Sequence, residues 1–222
     1  MKVCTDSCLF GAWTAGKIDQ YCSKAENILD IGTGTGLLCV MLAQKTLAAI
    51  YGVEIDGNAT KQAAHNFISS PWTDRLSVIN SSVSDLDKNK KYDFIISNPP
   101  FYEASLRSPD SNRTAAMHDS ELTLPQLISA ILLHLKDNGY TALLIPIARL
   151  NTLEILAAEN GLHVIEKTLV RQTVTHSPFR AMLLLSRNKT ADVIVNEISI
   201  LNENRNYTAE FSELLKDYYL KL

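Results

Sequence analysis

Asn98-Pro99-Pro100-Phe101 closes a run of apolar residues and brings three functional groups into four positions. Asn98 offers an amide oxygen, Pro99 a carbonyl whose direction the ring restricts, and Phe101 an aromatic face. An exocyclic amino group can donate to both oxygens while its own ring stacks on Phe101. That set suits the alkylation of a planar amine. A strand running into a proline-stiffened turn has the same composition, so the rest of the chain must decide.

Upstream, Asp30-Ile31-Gly32-Thr33-Gly34-Thr35-Gly36 follows one apolar run and opens a helical stretch. Its glycines recur at every second position, GxGxG, unlike the GxGxxG of dinucleotide sites. They allow a tight turn and a close approach of backbone to ligand. A carboxylate such as Asp30 beside a helix N-terminus would repel a pyrophosphate but can hold a cation, and a sulfonium or an ammonium fits. Glu54 ends a second apolar run, where an acid can accept hydrogen bonds from both hydroxyls of a ribose. By itself it would read as a surface carboxylate at a strand end.

The elements that must position these residues alternate in the βαβ manner from Asn27 onward. Strands are expected at 27–31, 48–55, 76–79, 94–97 and 140–147, with helices to about Gln44, at 58–68, at 124–135 ending near Gly139 as a C-terminal cap, and at 150–159. Two further strands, 163–170 and 180–186, follow each other without a helix and predict an antiparallel hairpin. The expected fold is α/β: a doubly wound, seven-stranded, mostly parallel sheet with an antiparallel C-terminal hairpin, in one domain spanning residues 1–222. Residues 27–190 form its core, and 191–222 add a strand and a helix.

With 222 residues, 46% of them hydrophobic, the chain can bury one substantial core. The formal charge of −3 argues against indiscriminate binding to phosphate backbones. Arg107, Arg113, Arg171, Arg180 and Arg187 could still form a local patch, and a solvated face is at least as good a reading of each. Cys4, Cys8, Cys22 and Cys39 have no zinc-ligand spacing and read as reduced structural thiols, so no metal is expected. No apolar signal segment or bilayer-length run occurs, and a cytoplasmic location is expected. The Asn-x-Ser/Thr triplets at Asn58, Asn80 and Asn188 are then chance matches. His118, which follows the amine-binding motif, and His65, His134, His163 and His176 read as solvated, and no histidine is assigned to catalysis.

Taken together, Asp30, GxGxG, Glu54 and Asn98-Pro99-Pro100-Phe101 resemble the class I S-adenosylmethionine-dependent methyltransferases, in the branch that methylates planar amino nitrogens. Met1-Lys2-Val3-Cys4-Thr5-Asp6-Ser7-Cys8-Leu9-Phe10-Gly11-Ala12-Trp13 is similar to the opening segment of bacterial methyltransferases acting on N6 of adenine 37 in a valine tRNA. Ser108-Pro109-Asp110, Arg113 to His118 and Tyr207 to Phe211 extend that similarity. The resemblance implies S-adenosylmethionine as cofactor, held by Thr5, Asp30, Gly32, Gly34, Gly36, Glu54 and Ser82 beneath a covering segment at 1–26. It implies a tRNA anticodon loop as partner and Asn98, Pro99 and Phe101 as catalytic residues. Oligomeric state does not follow from it, and a monomer is assumed. Cys4 and Ser7 stand where the family usually has glycine, and Ser82 where an acceptor such as aspartate often meets the cofactor's adenine. The family also carries a short segment ahead of the Met-Lys-Val motif, so this sequence starts inside the pattern.

Such a transfer is an in-line displacement, whose main requirement is alignment of the nitrogen lone pair. Acceptance of both amine protons by Asn98 and the Pro99 carbonyl would favour a tetrahedral nitrogen and stabilise its developing charge. A release-factor glutamine methyltransferase could use the same grip, although those enzymes carry an N-terminal helical domain for which there is no room before Asn27. A guanine N2 methyltransferase acting on ribosomal RNA fits the motif equally. A non-catalytic S-adenosylmethionine- or RNA-binding module would have no need of an amine grip, and a nicotinamide oxidoreductase is disfavoured by the glycine spacing.

Overall fold

The computed structural model describes residues 4–99 and 122–221. Pro100, Phe101, Arg107, Arg113 and His118 lie outside them. The chain runs α1 (Thr5–Cys22), β1 (Asn27–Ile31), α2 (Leu37–Ala43), β2 (Ala49–Glu54), α3 (Gly57–Ile68), β3 (Leu76–Asn80) and β4 (Tyr92–Ser97). It continues through α4 (Leu124–His134), β5 (Leu135–Pro146), α5 (Leu150–Glu159), β6 (His163–Thr173), β7 (Pro178–Ser186), β8 (Ile194–Leu201) and α6 (Ala209–Leu215).

The eight strands among the described residues share one sheet in the order β3-β2-β1-β4-β5-β7-β6-β8. Only β7 opposes its neighbours: it pairs antiparallel with both β5 and β6, while β8 pairs parallel with β6. Successive strand residues point to opposite faces. Ile28, Ile50, Phe94, Ile96, Leu144 and Leu184 accordingly pack under α1, α2, α3 and α6. Leu29, Ile31, Val53, Ile95, Leu143 and Leu183 pack under α4 and α5. The chain leaves β1 toward β2 and β3 on one side and returns to β4 and β5 on the other. This reversal opens a crevice at the C-terminal ends of β1 and β4, where Ile31 and Ser97 are paired.

The structure corrects the sequence reading at three points and adds a helix to it. The sheet has eight strands where seven were expected, because the outer edge of β6 from Glu166 to Thr173 accepts the tail strand β8. Residues 5–22 form a long helix where only a covering segment was read. Eight consecutive residues, Cys8 to Ala15, are buried in it, so no one-sided apolar stripe announces a helix. Gly139 does not cap α4. It lies within β5, where a Cβ would come within 2.7 Å of Leu135 Cδ1 and 3.0 Å of the Asp93 carbonyl oxygen. His134 is buried rather than solvated, its Nδ1 3.1 Å from the Lys90 carbonyl oxygen.

Helix α1 is fastened across the sheet. Trp13 Nε1 donates to Thr168 Oγ1 on β6 at 3.1 Å, and Lys17 pairs at 2.6 Å with Glu166, which is 2% exposed. Arg180 on β7 holds Asp6 at 3.2 Å. These contacts fix where the N-terminus of α1 sits relative to the crevice.

Candidate active site

The glycine turn connects β1 to α2 at the crevice. Gly32, Gly34 and Gly36 have φ of 72°, 57° and 81°, a region costly for residues with a Cβ. The spacing thus reflects three left-handed positions in five residues. A Cβ on Gly36 would also lie 2.4 Å from Phe67 Cε1, whereas one on Gly32 would meet nothing within 4 Å. The Gly32 side of the turn is therefore open to a ligand, and the Gly36 side is packed. The Gly32 and Thr33 N–H groups donate to the Val53 carbonyl at 2.9 and 3.1 Å, and Asn66 Nδ2 donates to the Thr35 carbonyl at 2.8 Å.

Asp30 lies beneath this turn and is fully buried. Its Oδ2 accepts from Thr33 Oγ1 at 2.6 Å and from Cys39 Sγ at 3.4 Å, while Oδ1 has no partner among the described residues. Desolvation pushes the carboxyl up to about 6, against the opposing effect of the Thr33 and Cys39 bonds. Glu54, at the end of β2, accepts from the Gly34 N–H through Oε2 and from the Asp56 N–H through Oε1, each at 2.9 Å. Each oxygen keeps a further lone pair for a hydroxyl donor. Ser82 caps the short turn Val83–Asp85, its hydroxyl 2.8 Å from Ser84 Oγ. Thr5 begins α1, on a separate cavity considered below.

Asn98 follows β4 directly. Ser97 Oγ donates to the Ile31 carbonyl at 2.8 Å and ties the end of β4 to the start of the glycine turn. Asn98 Nδ2 donates to Ser7 Oγ at 2.9 Å across 91 positions of sequence. This contact commits the amide nitrogen to α1 and leaves Oδ1 without a partner among the described residues, as the oxygen able to accept from an amine. Ser7, singled out as a departure in a covering segment, is thus a helical residue in contact with the amine grip. Thr33, Cys39 and Ser97 were also missed; their bonds to Asp30 and Ile31 depend on how the turn folds back on the strands, which no spacing encodes.

Of the arginines considered for a basic patch, Arg171 makes a bidentate pair with Glu197, Nε donating to Oε2 at 3.1 Å and Nη2 to Oε1 at 3.0 Å, Arg180 holds Asp6, and Arg187 is 4.0 Å from Asp137. None of the four cysteines is in a disulfide. Among the described residues no cluster of His, Cys, Asp and Glu could hold a metal ion, and no helix is long and apolar enough to cross a membrane.

A left-handed glycine turn with an acid beneath it and a second-strand acid bonded to it, beside an asparagine at the end of β4, defines a class I methyltransferase site. Solved structures of that kind share the fold. A predicted O-methyltransferase from Agrobacterium tumefaciens matches 95% of each chain with a TM-score of 0.67 at 15% identity. A putative RNA methyltransferase from Pyrococcus horikoshii covers 82% of this chain and 83% of its own with a TM-score of 0.58 at 18% identity. The methyltransferase small domain model matches residues 16–166. Proteins described as tRNA1(Val) (adenine(37)-N6)-methyltransferase align with the whole chain: that of Cytophaga hutchinsonii is 38% identical and that of Parabacteroides distasonis 36%, each over 92% of its own length. The counterpart from Shewanella sp. is 32% identical over 93% of its length. The chain belongs to this family of methyltransferases.

S-adenosylmethionine is the cofactor of the family, and the residues present fit it. The unpartnered Asp30 Oδ1 is a buried acceptor suited to a cationic group, the open side of Gly32 admits a ligand against backbone, and Glu54 retains acceptor capacity for a ribose.

Proposed function

We propose that this protein transfers a methyl group from S-adenosylmethionine to N6 of adenine 37 in the anticodon loop of a valine tRNA. The observation that carries this reading is the placement of Asn98 at the end of β4, registered beside the glycine turn, with its amide nitrogen held by Ser7 and its oxygen left to accept.

When bound, the cofactor supplies an electrophilic methyl group on a sulfonium. The protein's own contribution is alignment and charge. Asn98 Oδ1 and the Pro99 carbonyl accept the two protons of the amine, which draws its lone pair out of conjugation and stabilises the positive charge growing on nitrogen. Phe101 holds the base by stacking. Asp30 sets a negative charge under the turn, Gly32, Gly34 and Gly36 shape the backbone, and Glu54 accepts from the ribose. Ser82 completes the cofactor pocket, whereas Thr5 lines the neighbouring cavity. The proton leaves after transfer, to water, and no metal takes part.

An anticodon-loop adenine suits this site because it can be splayed out without opening a duplex. We further propose a single domain acting as a monomer in the cytoplasm, with residues 1–26 covering the cofactor. The test is incubation of the purified protein with S-adenosylmethionine and tRNA, followed by mass spectrometry of the nuclease digest. N6-methyladenosine at position 37 of the valine tRNA is expected. Its absence, or methylation instead of release-factor glutamine or ribosomal guanine in parallel assays, refutes the proposal.

A further inference from the structure

Two of the stretches that narrow the resemblance, Met1 to Trp13 and Tyr207 to Phe211, are not part of the glycine turn or the Asn98 motif, yet Thr5 and Asp6 of the first meet Tyr207 of the second at one place. A cavity of about 1000 Å³ is lined by Thr5, Asp6, Gln172, Phe179, Arg205 and Tyr207, among others. It lies over the C-terminal ends of β6 and β8 and the start of β7. It adjoins the amine grip, because Asp6 precedes Ser7, the residue that holds Asn98.

Its lining offers an aromatic face, free amides and a cation. Tyr207 stacks on Phe211 with ring centroids 4.7 Å apart and an angle of 18°. Tyr219 lies 6.5 Å from Tyr207 and 6.3 Å from Phe211, nearly equidistant, and so stands beside the stack and not on its end. The outer face of Tyr207, a residue 39% exposed, is therefore not covered by either ring. The amides of Gln172 and Asn206 make no side-chain hydrogen bond to another described residue, which leaves donors and acceptors for a base edge.

Among the described residues the one carboxylate lining the cavity, Asp6, is paired with Arg180. Arg205 makes no ion pair among the described residues and leaves the cavity with an unbalanced positive charge. Its backbone, with φ of 62°, is the one left-handed non-glycine residue described. The turn that holds it is closely bonded: Asn202 Oδ1 accepts from the N–H groups of Asn204 and Asn206 at 2.9 and 3.1 Å, and the Arg205 N–H donates to the Asn202 carbonyl at 3.0 Å. An arginine with a left-handed backbone, in a hydrogen-bonded turn on the lining of a cavity, invites a functional account.

We infer that this cavity binds a nucleotide flanking the target adenine in the single-stranded loop, its base stacked on the outer face of Tyr207 and its phosphate paired with Arg205. The inference rests on the proposed RNA substrate and names the subsite that selects it. The glycine turn and Asn98 handle methyl transfer, whereas this cavity discriminates RNA from other amines.

The test is fluorescence anisotropy with a dye-labelled anticodon stem-loop RNA, with S-adenosylmethionine binding followed by calorimetry and kcat and KM measured on tRNA. Arg205→Gly is informative because glycine suits the backbone angle, so the melting temperature should not fall while RNA binding weakens. It should also lower the slope of log affinity against log salt by about 0.7, as expected for one phosphate contact on a single strand. Tyr207→Ala should weaken RNA binding about 5- to 150-fold, the range for loss of one stacked base, with Tyr207→Phe near wild type and cofactor affinity unchanged throughout. Unchanged RNA affinity in both Arg205→Gly and Tyr207→Ala overturns the inference even if the wild type methylates tRNA. A loss of cofactor affinity instead assigns the cavity to the cofactor and also overturns it. If the wild type binds the stem-loop but does not methylate it, the proposed reaction falls while the subsite is still judged by the variants; if it does not bind, both fall.

Discussion

Removal of the Ser7 hydroxyl tests whether Asn98 is set for catalysis by α1. In the structure Asn98 Nδ2 donates to Ser7 Oγ at 2.9 Å, and both residues are half-buried. Before substrate binds, water can replace that oxygen in Ser7→Ala. Once a base closes over Asn98, the amide N–H facing α1 is cut off from solvent and unpaired, a cost of about 1–3 kcal/mol. The same change frees the amide to turn, which would present a donor to the amine. The penalty falls on the state containing substrate, so kcat/KM for tRNA should drop about 5- to 150-fold while cofactor affinity holds. Ser7→Thr keeps an acceptor and should restore most of the rate. Ser7→Gly removes the Cβ as well, leaves room for a bridging water, and should be milder than Ser7→Ala. Steady-state kinetics on valine tRNA with calorimetry for the cofactor measure this order. Wild-type kcat/KM in Ser7→Ala, or a defect confined to cofactor binding, refutes the reasoning.

Other outcomes follow from the same geometry. Asn98→Ala should abolish turnover and largely spare cofactor binding, checked by methyl-transfer assay and calorimetry. Gly36→Ala meets both a φ of 81° and Phe67 Cε1 at 2.4 Å and should cost at least about 2 kcal/mol, read as a fall in melting temperature of about 4–8 °C. Asp30, with its carboxyl raised from 3.8 to about 6, holds its proton more tightly in the folded chain than in the unfolded one. The ligand-free protein should therefore lose stability as pH rises from about 4 to about 6, by about 3 kcal/mol at most, and Asp30→Asn should remove that dependence in denaturant titrations. A cationic ligand favours the ionised acid, so cofactor affinity should increase as pH rises through about 6; a flat profile from pH 5 to 8 would count against contact between Asp30 and the cation.

Much of this site was legible because its demands are local. Three glycines at alternate positions after an apolar run correspond to three left-handed residues, and Glu54 and Asn98 could be placed because one ends and the other directly follows a short strand. The strands from Asn27 to Ser186 follow from apolar runs of strand length bounded by turn residues, so their positions needed no partner to be specified. Helix α1 was not legible, since burial on nearly every side erases the periodicity that marks a surface helix. Arg205 gave no signal either: an arginine in a polar turn looks solvated until its backbone angle and its place on a cavity are known.

By itself, then, the sequence determined most of the elements, the left-handed turn and the position of Asn98 just after β4, because backbone conformation and burial periodicity are set by residues near one another in the chain. The tertiary structure alone decided the partnerships: Ser7 with Asn98, Glu54 with the Gly34 N–H, and Thr5 and Asp6 with Tyr207 around one cavity. These depend on strand order, on β7 inserting between β5 and β6, and on α1 being anchored to β6 by Trp13 and Lys17. Such contacts join residues 20 to 200 positions apart, and they exist only once the sheet has brought the strand ends to a common edge.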